Sequence, residues 1–176
     1  MTASGASLSG VQLPQVRLRP LRWWDVERLA PVERDLFGPT AWTPESFWSE
    51  LAQPQTRWYL IAESTDGELL GYAGLMVTGA EADVQTVAVA PAGQRRGLGA
   101  LLVGELVGEA VRRGACSVLL EVRADNETAI RLYRRHGFEQ ISVRRRYYQP
   151  GDIDALVMQL RPAAVVDHAR VGCSGD

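Results

Sequence analysis

The chain has 176 residues, nineteen of them arginine and none lysine, and a net charge of -2. That fits one globular domain with a real core and argues against bulk attraction to nucleic acid or a membrane surface. No apolar run reaches the length of a membrane span, the start lacks the basic and apolar regions of a secretion signal, and the missing lysine excludes a Walker-type phosphate loop.

Residues 1–14 are small and polar without periodicity and read as a disordered leader; residues 162–176 read as a flexible tail, leaving 15–161 as the domain. Val16 to Arg19 alternates as a strand does. Trp23 to Phe37 carries apolar residues at helical spacing (Val26, Leu29, Val32 or Leu36). Thr43-Pro44-Glu45 is a helix start, with threonine as cap and proline in the first turn, and Phe47, Trp48 and Leu51 give that helix a face. Arg57 to Glu63 and Leu69 to Val77 are predicted strands joined at Asp66-Gly67, and Val84 to Ala90 is a third.

Past this meander the pattern changes. Leu98, Leu101, Leu102, Leu106 and Ala110 share one face of a long helix. Val118 to Val122 is nearly continuous and apolar, as in a strand covered on both sides. A helix from Asn126 to His136 stops at Gly137, and Phe138 to Tyr148 with Ile153 to Leu160 form a closing hairpin around Pro150-Gly151. An antiparallel half, one right-handed strand–helix–strand crossover and a final hairpin make an α+β fold.

The most telling stretch is Gln94-Arg95-Arg96-Gly97-Leu98-Gly99, which opens a helix after a strand. Glycines let backbone approach a ligand closely, helix-start amides point at whatever sits there, and the arginines add charge. A pyrophosphate-bearing ligand is the expectation; a simple tight turn is the bland alternative. A dinucleotide fold is the rival, because Glu121 ends the next strand about 20 residues on, where that fold holds a ribose. Against it, Leu102 stands at the third glycine position, the gap Pro91 to Arg96 is long, and too few strands follow.

Glu121 is a signal of its own, since a carboxylate among Val118, Leu119, Leu120 and Val122 is costly unless it faces a wet cleft or a cation such as Arg123. Tyr133 lies two helical turns after Asn126 on the same face. Asn126 can simply cap its helix, and Tyr133 can simply be a core tyrosine. Tyr147 and Tyr148 alternate across a strand, so one faces any cleft there, while Arg144 to Arg146 read as a solvated face. His136 reads as a helix-end cation. His136, His168, Cys116 and Cys173 lack metal-ligand spacing, so no metal is expected. Cys116 in an apparent strand and Cys173 in a polar tail argue against a disulfide framework, and a cytoplasmic setting is the simplest reading.

The arrangement resembles the GNAT N-acetyltransferase superfamily across nearly all of Val16 to Leu160. Val87-Ala88-Val89-Ala90-Pro91 with Gln94 to Gly99 looks like its acetyl-CoA motif. Leu120 to Asn126, then Ala129, Leu132-Tyr133, Gly137-Phe138 and Arg145-Arg146-Tyr147-Tyr148, is similar to the ribosomal-protein alanine N-acetyltransferases, which acetylate the α-amine of a protein N-terminus. Trp42-Thr43-Pro44-Glu45-Ser46-Phe47 resembles their acceptor-side segment, although that segment usually places a proline–tryptophan pair ahead of the helix.

The resemblance implies a GNAT fold: a mixed sheet of six to seven strands, helices on both faces and a splayed central strand pair. It implies acetyl-CoA as donor, its pyrophosphate on Arg95, Arg96, Gly97, Leu98, Gly99 and Ala100, and its arm along Val87, Ala88 and Val89 and near Asn126. Glu121 becomes the general base and Tyr133 the acid for the leaving thiolate, with direct attack in a ternary complex. Trp42, Phe47, Asp83, Tyr147 and Tyr148 fall on the acceptor side, Asp83 as a reserve base. The expected partner is a protein N-terminus, of a ribosomal protein beginning with alanine, with no nucleic acid or membrane and a monomer or weak dimer. Acetylation of lysine or a small amine, or a CoA-binding module without turnover, are the alternatives.

Overall fold

The computed structural model describes residues 16–162; the expected leader and all but the first residue of the expected tail lie outside them. One seven-stranded mixed sheet runs in the order β1-β2-β3-β4-β5-β7-β6. Its strands are β1 (Val16–Pro20), β2 (Arg57–Ser64), β3 (Leu69–Thr78), β4 (Glu81–Val89), β5 (Ser117–Arg123), β6 (Glu139–Tyr148) and β7 (Ile153–Leu160). The helices are α1 (Val26–Phe37), α2 (Pro44–Leu51), α3 (Leu98–Arg112) and α4 (Glu127–Arg135). The α+β class, strand count and chain order follow the sequence expectations.

Two apolar clusters coat the sheet. Leu98, Leu102 and Leu106 of α3 and Ile130 and Tyr133 of α4 pack with Leu60, Ala62 and Val118. Val26, Leu29 and Phe47 of α1 and α2 pack with Tyr59, Ile61 and Tyr72. Neighbouring residues of β2 therefore feed opposite cores, which is why that strand reads as an unbroken apolar run. At one edge Arg19 donates to both Asp25 and Glu63, tying β1 and the start of α1 to β2.

Two details differ from expectation, and both shape the site. β4 begins at Glu81, three residues before the predicted strand, and bulges at Gln85, where Gly74 faces Thr86 but Leu75 faces Val84. A bulge reverses the apolar alternation that marks a strand, so the polar first half escaped the pattern. β5 is not covered on both sides: Val118, Leu120 and Val122 are buried, while Leu119, Glu121 and Arg123 face the other way and are only half-buried. Cys116, just ahead of β5, is disulfide-bonded, contrary to the expectation for the two cysteines; its partner lies outside the described residues.

Candidate active site

β4 and β5 are the sheet's one parallel pair, and they stay together for only three positions, Glu81↔Ser117, Ala82↔Val118 and Asp83↔Leu119. Beyond Asp83 they part. β5 takes β7 as its partner along Val118 to Arg123, while β4 from Val84 onward keeps β3 on one side and, among the described residues, has no strand partner on the other. The resulting cleft of about 570 Å³ is lined by Asp83 to Val87 of β4 and Leu119 to Arg123 of β5. Asn126, Ala129 and Tyr133 close it from α4, Arg144, Tyr147 and Tyr148 from β6, and Glu33, Phe37, Thr40 and Trp42 from α1 and the loop after it.

The crossover from β4 to β5 starts where that free edge ends. Gly93 is buried in the turn, with room for a hydrogen only: a Cβ there would stand 2.4 Å from the Leu70 carbonyl oxygen. Gly97 caps α3 at φ +76 with open space around its α-carbon, a left-handed conformation that suits glycine. The first amide of α3 to bond backward is Leu101, onto the Gly97 carbonyl; those of Arg95 to Ala100 have no backbone acceptor. Arg95 and Arg96 are exposed, and Leu98 turns its side chain into the core, leaving only its amide for a ligand. Six free amides, a helix N-terminus and two arginines make an anion cradle.

Glu121 points into the cleft and forms an ion pair with Arg144, Nη1 to Oε1 at 2.9 Å. Arg123, the partner considered from sequence, is bound to Asp125 instead. The neighbouring Glu121 carboxylate, with burial, raises the Tyr147 phenol, while the Arg144 guanidinium lies 5.4 Å over its ring. Burial, with the charges of Glu81 and Glu121 nearby, pushes Asp83 above the usual carboxylate range. Tyr133 is buried to 8 % exposure and packs on Phe138. Burial, and then neighbouring Tyr148, push its hydroxyl up to about 12. That hydroxyl is not sealed away, because no buried side-chain oxygen or nitrogen among the described residues lacks a partner.

Of the residues expected at the site, Trp42, Asp83, Val87, Glu121, Asn126, Tyr133, Tyr147 and Tyr148 meet in the cleft. Asn126 also caps α4 through the Ala129 amide. Arg95 to Ala100 lie beyond the cleft at its α3 end. Phe47 does not reach it, being fully buried against Trp42 and Tyr72. Ala88 is buried in the α1–α2 core, so a ligand can meet it only through its backbone, while Val89 packs partly buried on the opposite one. Both Tyr147 and Tyr148 line the cleft where one was expected, because a second bulge breaks their alternation.

Sequence reasoning missed Glu33 and Arg144. Glu33 is 2 % exposed and accepts the Trp42 amide at 3.0 Å and the Tyr72 hydroxyl, and burial raises its pKa. It stands seven places after Val26 and four after Leu29, on the same stripe, and a carboxylate at such a spacing was a readable sign. Arg144 carried no such sign in sequence.

The acetyltransferase (GNAT) family pattern matches residues 22–138. An N-alpha-acetyltransferase RimI of Mycobacterium tuberculosis is 41% identical over 140 residues, 77% of this chain and 85% of that one. The crystal structure of the ribosomal-protein-S18-alanine N-acetyltransferase from Escherichia coli superposes with a TM-score of 0.74 at 31% identity, covering 83% of this chain and 93% of that one. The fold is shared as well with Arabidopsis thaliana NAA60 in complex with acetyl-CoA, at TM-score 0.74, 22% identity and 84% and 98% coverage.

Proposed function

Because the chain belongs to the acetyltransferase (GNAT) family, in its ribosomal-protein alanine N-acetyltransferase branch, we propose that it acetylates the α-amine of a protein N-terminus. The donor is acetyl-CoA, and the acceptor a ribosomal protein beginning with alanine, the substrate for which a relative is named. The observation that carries this reading is the meeting of a carboxylate, Glu121, and a protonated phenol, Tyr133, in a cleft bounded by an unpaired strand edge.

The residues present fit the donor. Diphosphate suits the free amides of Arg95 to Ala100 and the charges of Arg95 and Arg96, while an amide-bearing arm can add to the open edge of β4 from Val84 to Val89 as an extra strand does. When bound, acetyl-CoA supplies an acyl thioester that an amine can attack. Amides along that edge are placed to polarise the carbonyl. Glu121 takes the proton of the incoming amine, and Tyr133, still protonated far above neutral pH, donates toward the departing sulfur. The apolar wall that raises the phenol keeps it in the protonated form that can donate at neutral pH.

An α-amine titrates near 7.7–8.0 and a lysine near 10.4, a gap of roughly 2.5 units or ~3.4 kcal/mol. One carboxylate is therefore enough for an N-terminal amine, whereas lysine demands more. The test mixes the protein with acetyl-CoA and peptides beginning with Ala, Ser or Met, alongside one offering only lysine. Thiol release is expected with the first group, fastest with Ala. Release with the lysine peptide alone would overturn the α-amine reading, and no release with any would leave a CoA-binding module.

A further inference from the structure

Strand β6 leaves regular pairing where it borders the cleft. Arg144 faces Ala155 and Tyr148 faces Ile153, so three β6 residues, 145 to 147, stand against the single β7 residue Asp154. The middle one, Arg146, has φ +52, a left-handed conformation that a non-glycine residue adopts only when its surroundings hold it there. Asp154 provides that hold. Its Oδ1 accepts the Arg146 amide at 2.9 Å and its Oδ2 the exposed Arg145 guanidinium at 2.7 Å, and its own carbonyl accepts the Ala124 amide just past β5. The Arg146 amide is the leading cause that keeps this carboxyl below the usual range.

We propose that Asp154 is a positioning residue for the acceptor side of the cleft: by gripping the Arg146 amide it maintains the bulge that turns Tyr147 into the cleft beside Tyr148 and Glu121. Without the extra residues Tyr147 and Tyr148 would point to opposite faces of the sheet. With them both line the cleft, and Tyr147 comes to lie beside Glu121, whose ion pair is with Arg144, the last regularly paired residue before the bulge. This inference rests on the acetyltransfer reading above for the meaning of "acceptor side", but the bulge and its clamp can be measured without turnover.

The test compares Asp154→Ala, Asp154→Asn and Arg145→Ala, using acetyl-CoA and a peptide beginning with alanine. Asp154→Ala should raise KM for the peptide about tenfold or more and leave KM for acetyl-CoA within about twofold. Asp154→Asn keeps an oxygen for the Arg146 amide, and Arg145→Ala removes only the outer ion pair, so both should stay within about threefold of wild type. Adding Arg146→Gly to Asp154→Ala should recover most of the loss, because glycine takes that conformation freely. Amide hydrogen exchange gives a second readout: the Arg146 amide should be protected in wild type and Asp154→Asn and exposed in Asp154→Ala. An unchanged peptide KM in Asp154→Ala, an equal rise in Arg145→Ala, or a still-protected Arg146 amide would overturn the assignment. Should Asp154→Ala not fold, a tenfold peptide KM rise in Asp154→Asn would overturn it equally. Wild-type protein that acetylates no peptide would refute the acetyltransfer reading instead, leaving the clamp to be judged by exchange alone.

Discussion

Replacing Glu121 with glutamine keeps the shape of the side chain and removes its ability to take a proton. The cost to stability should be small. The carboxylate's ion pair is with Arg144, with 28% and 55% of the two side chains exposed, and such half-exposed pairs contribute about 0.2–1 kcal/mol. Glutamine still offers the guanidinium an oxygen, so Tm should fall by no more than about 2–4 °C. Turnover should respond far more, since a positioned base contributes roughly 10²–10⁴-fold, or about 2.7–5.4 kcal/mol on the barrier. Acetyl-CoA affinity should hold, because the phosphate cradle at Arg95 to Ala100 lies outside the cleft lining. The pH dependence carries the mechanistic signature. At pH 7 about one α-amine in seven is neutral, against about one lysine in 2,500, and at pH 9 nearly every α-amine is. A variant without its base depends on amines already neutral, so its rate should climb about sevenfold from pH 7 to 9, while the wild-type rate climbs less. Thiol release with an alanine-first peptide, titration calorimetry with acetyl-CoA and thermal melts measure all three quantities. Turnover within threefold of wild type, a tenfold loss of acetyl-CoA affinity, or identical pH slopes would refute the assignment of Glu121 as base.

Tyr133→Phe should keep the ring packing on Phe138 and change stability by less than about 1 kcal/mol, yet lower kcat roughly 10–100-fold in steady-state assays; because burial holds the wild-type phenol near about 12, its titration should produce no alkaline fall in rate below pH 10. Gly93→Ala drives a Cβ to 2.4 Å from the Leu70 carbonyl oxygen, which as backbone cannot step aside, so urea unfolding should show a loss of about 1–3 kcal/mol together with weaker acetyl-CoA binding through the displaced loop. At the far edge, burial raises Asp25 but the hydrogen bonds from Arg19 and the Arg22 amide outweigh it, and Arg19 and Arg28 hold Glu63 low. Both folded values are depressed, so their stabilisation is present above the unfolded pKa of about 4 and is lost as pH falls through the folded values. Arg19→Ala should therefore cost about 3 kcal/mol at pH 7 and progressively less below pH 4, as denaturant unfolding at both pH values would show.

How much of this could be read from residues alone follows from the range of each interaction. The cradle was legible because its parts are consecutive: a strand, then Arg95, Arg96, Gly97, then a helix stripe from Leu98 to Ala110. Glu121 and Tyr133 were legible as a misplaced charge and a residue two turns from a cap. Arg144 was not, because its partnership needs β6 to fold back across β7 and shift register between Gln140 and Ser142, and a bulge leaves no periodic trace. Leu119 misled in the opposite sense: it is as apolar as its buried neighbours, yet it faces a cleft that exists only because β4 turns away. Phe47 looked like an acceptor contact by its place in a segment and is instead packing behind Trp42, which lines the cleft.

The splay between β4 and β5 explains why the site lies where it does. A parallel pair cannot be joined by a hairpin, so the chain leaves β4, crosses by α3 and returns as β5. That crossover sets the N-terminus of α3 beyond the end of β4, beside the strand edge the splay exposes. On the reading proposed above, a long anionic molecule with an amide-bearing arm would find its charge sites and its strand partner in one line. β5, released after Asp83, takes β7 in place of β4, and β7 brings β6 with its bulge across the mouth. The open edge of β4 and the β6 wall are therefore opposite sides of a single opening, and Glu121 stands on β5 between them. Had β4 and β5 stayed paired for three or four more positions, both surfaces would have closed and the carboxylate would have been an expensive charge buried in a sheet.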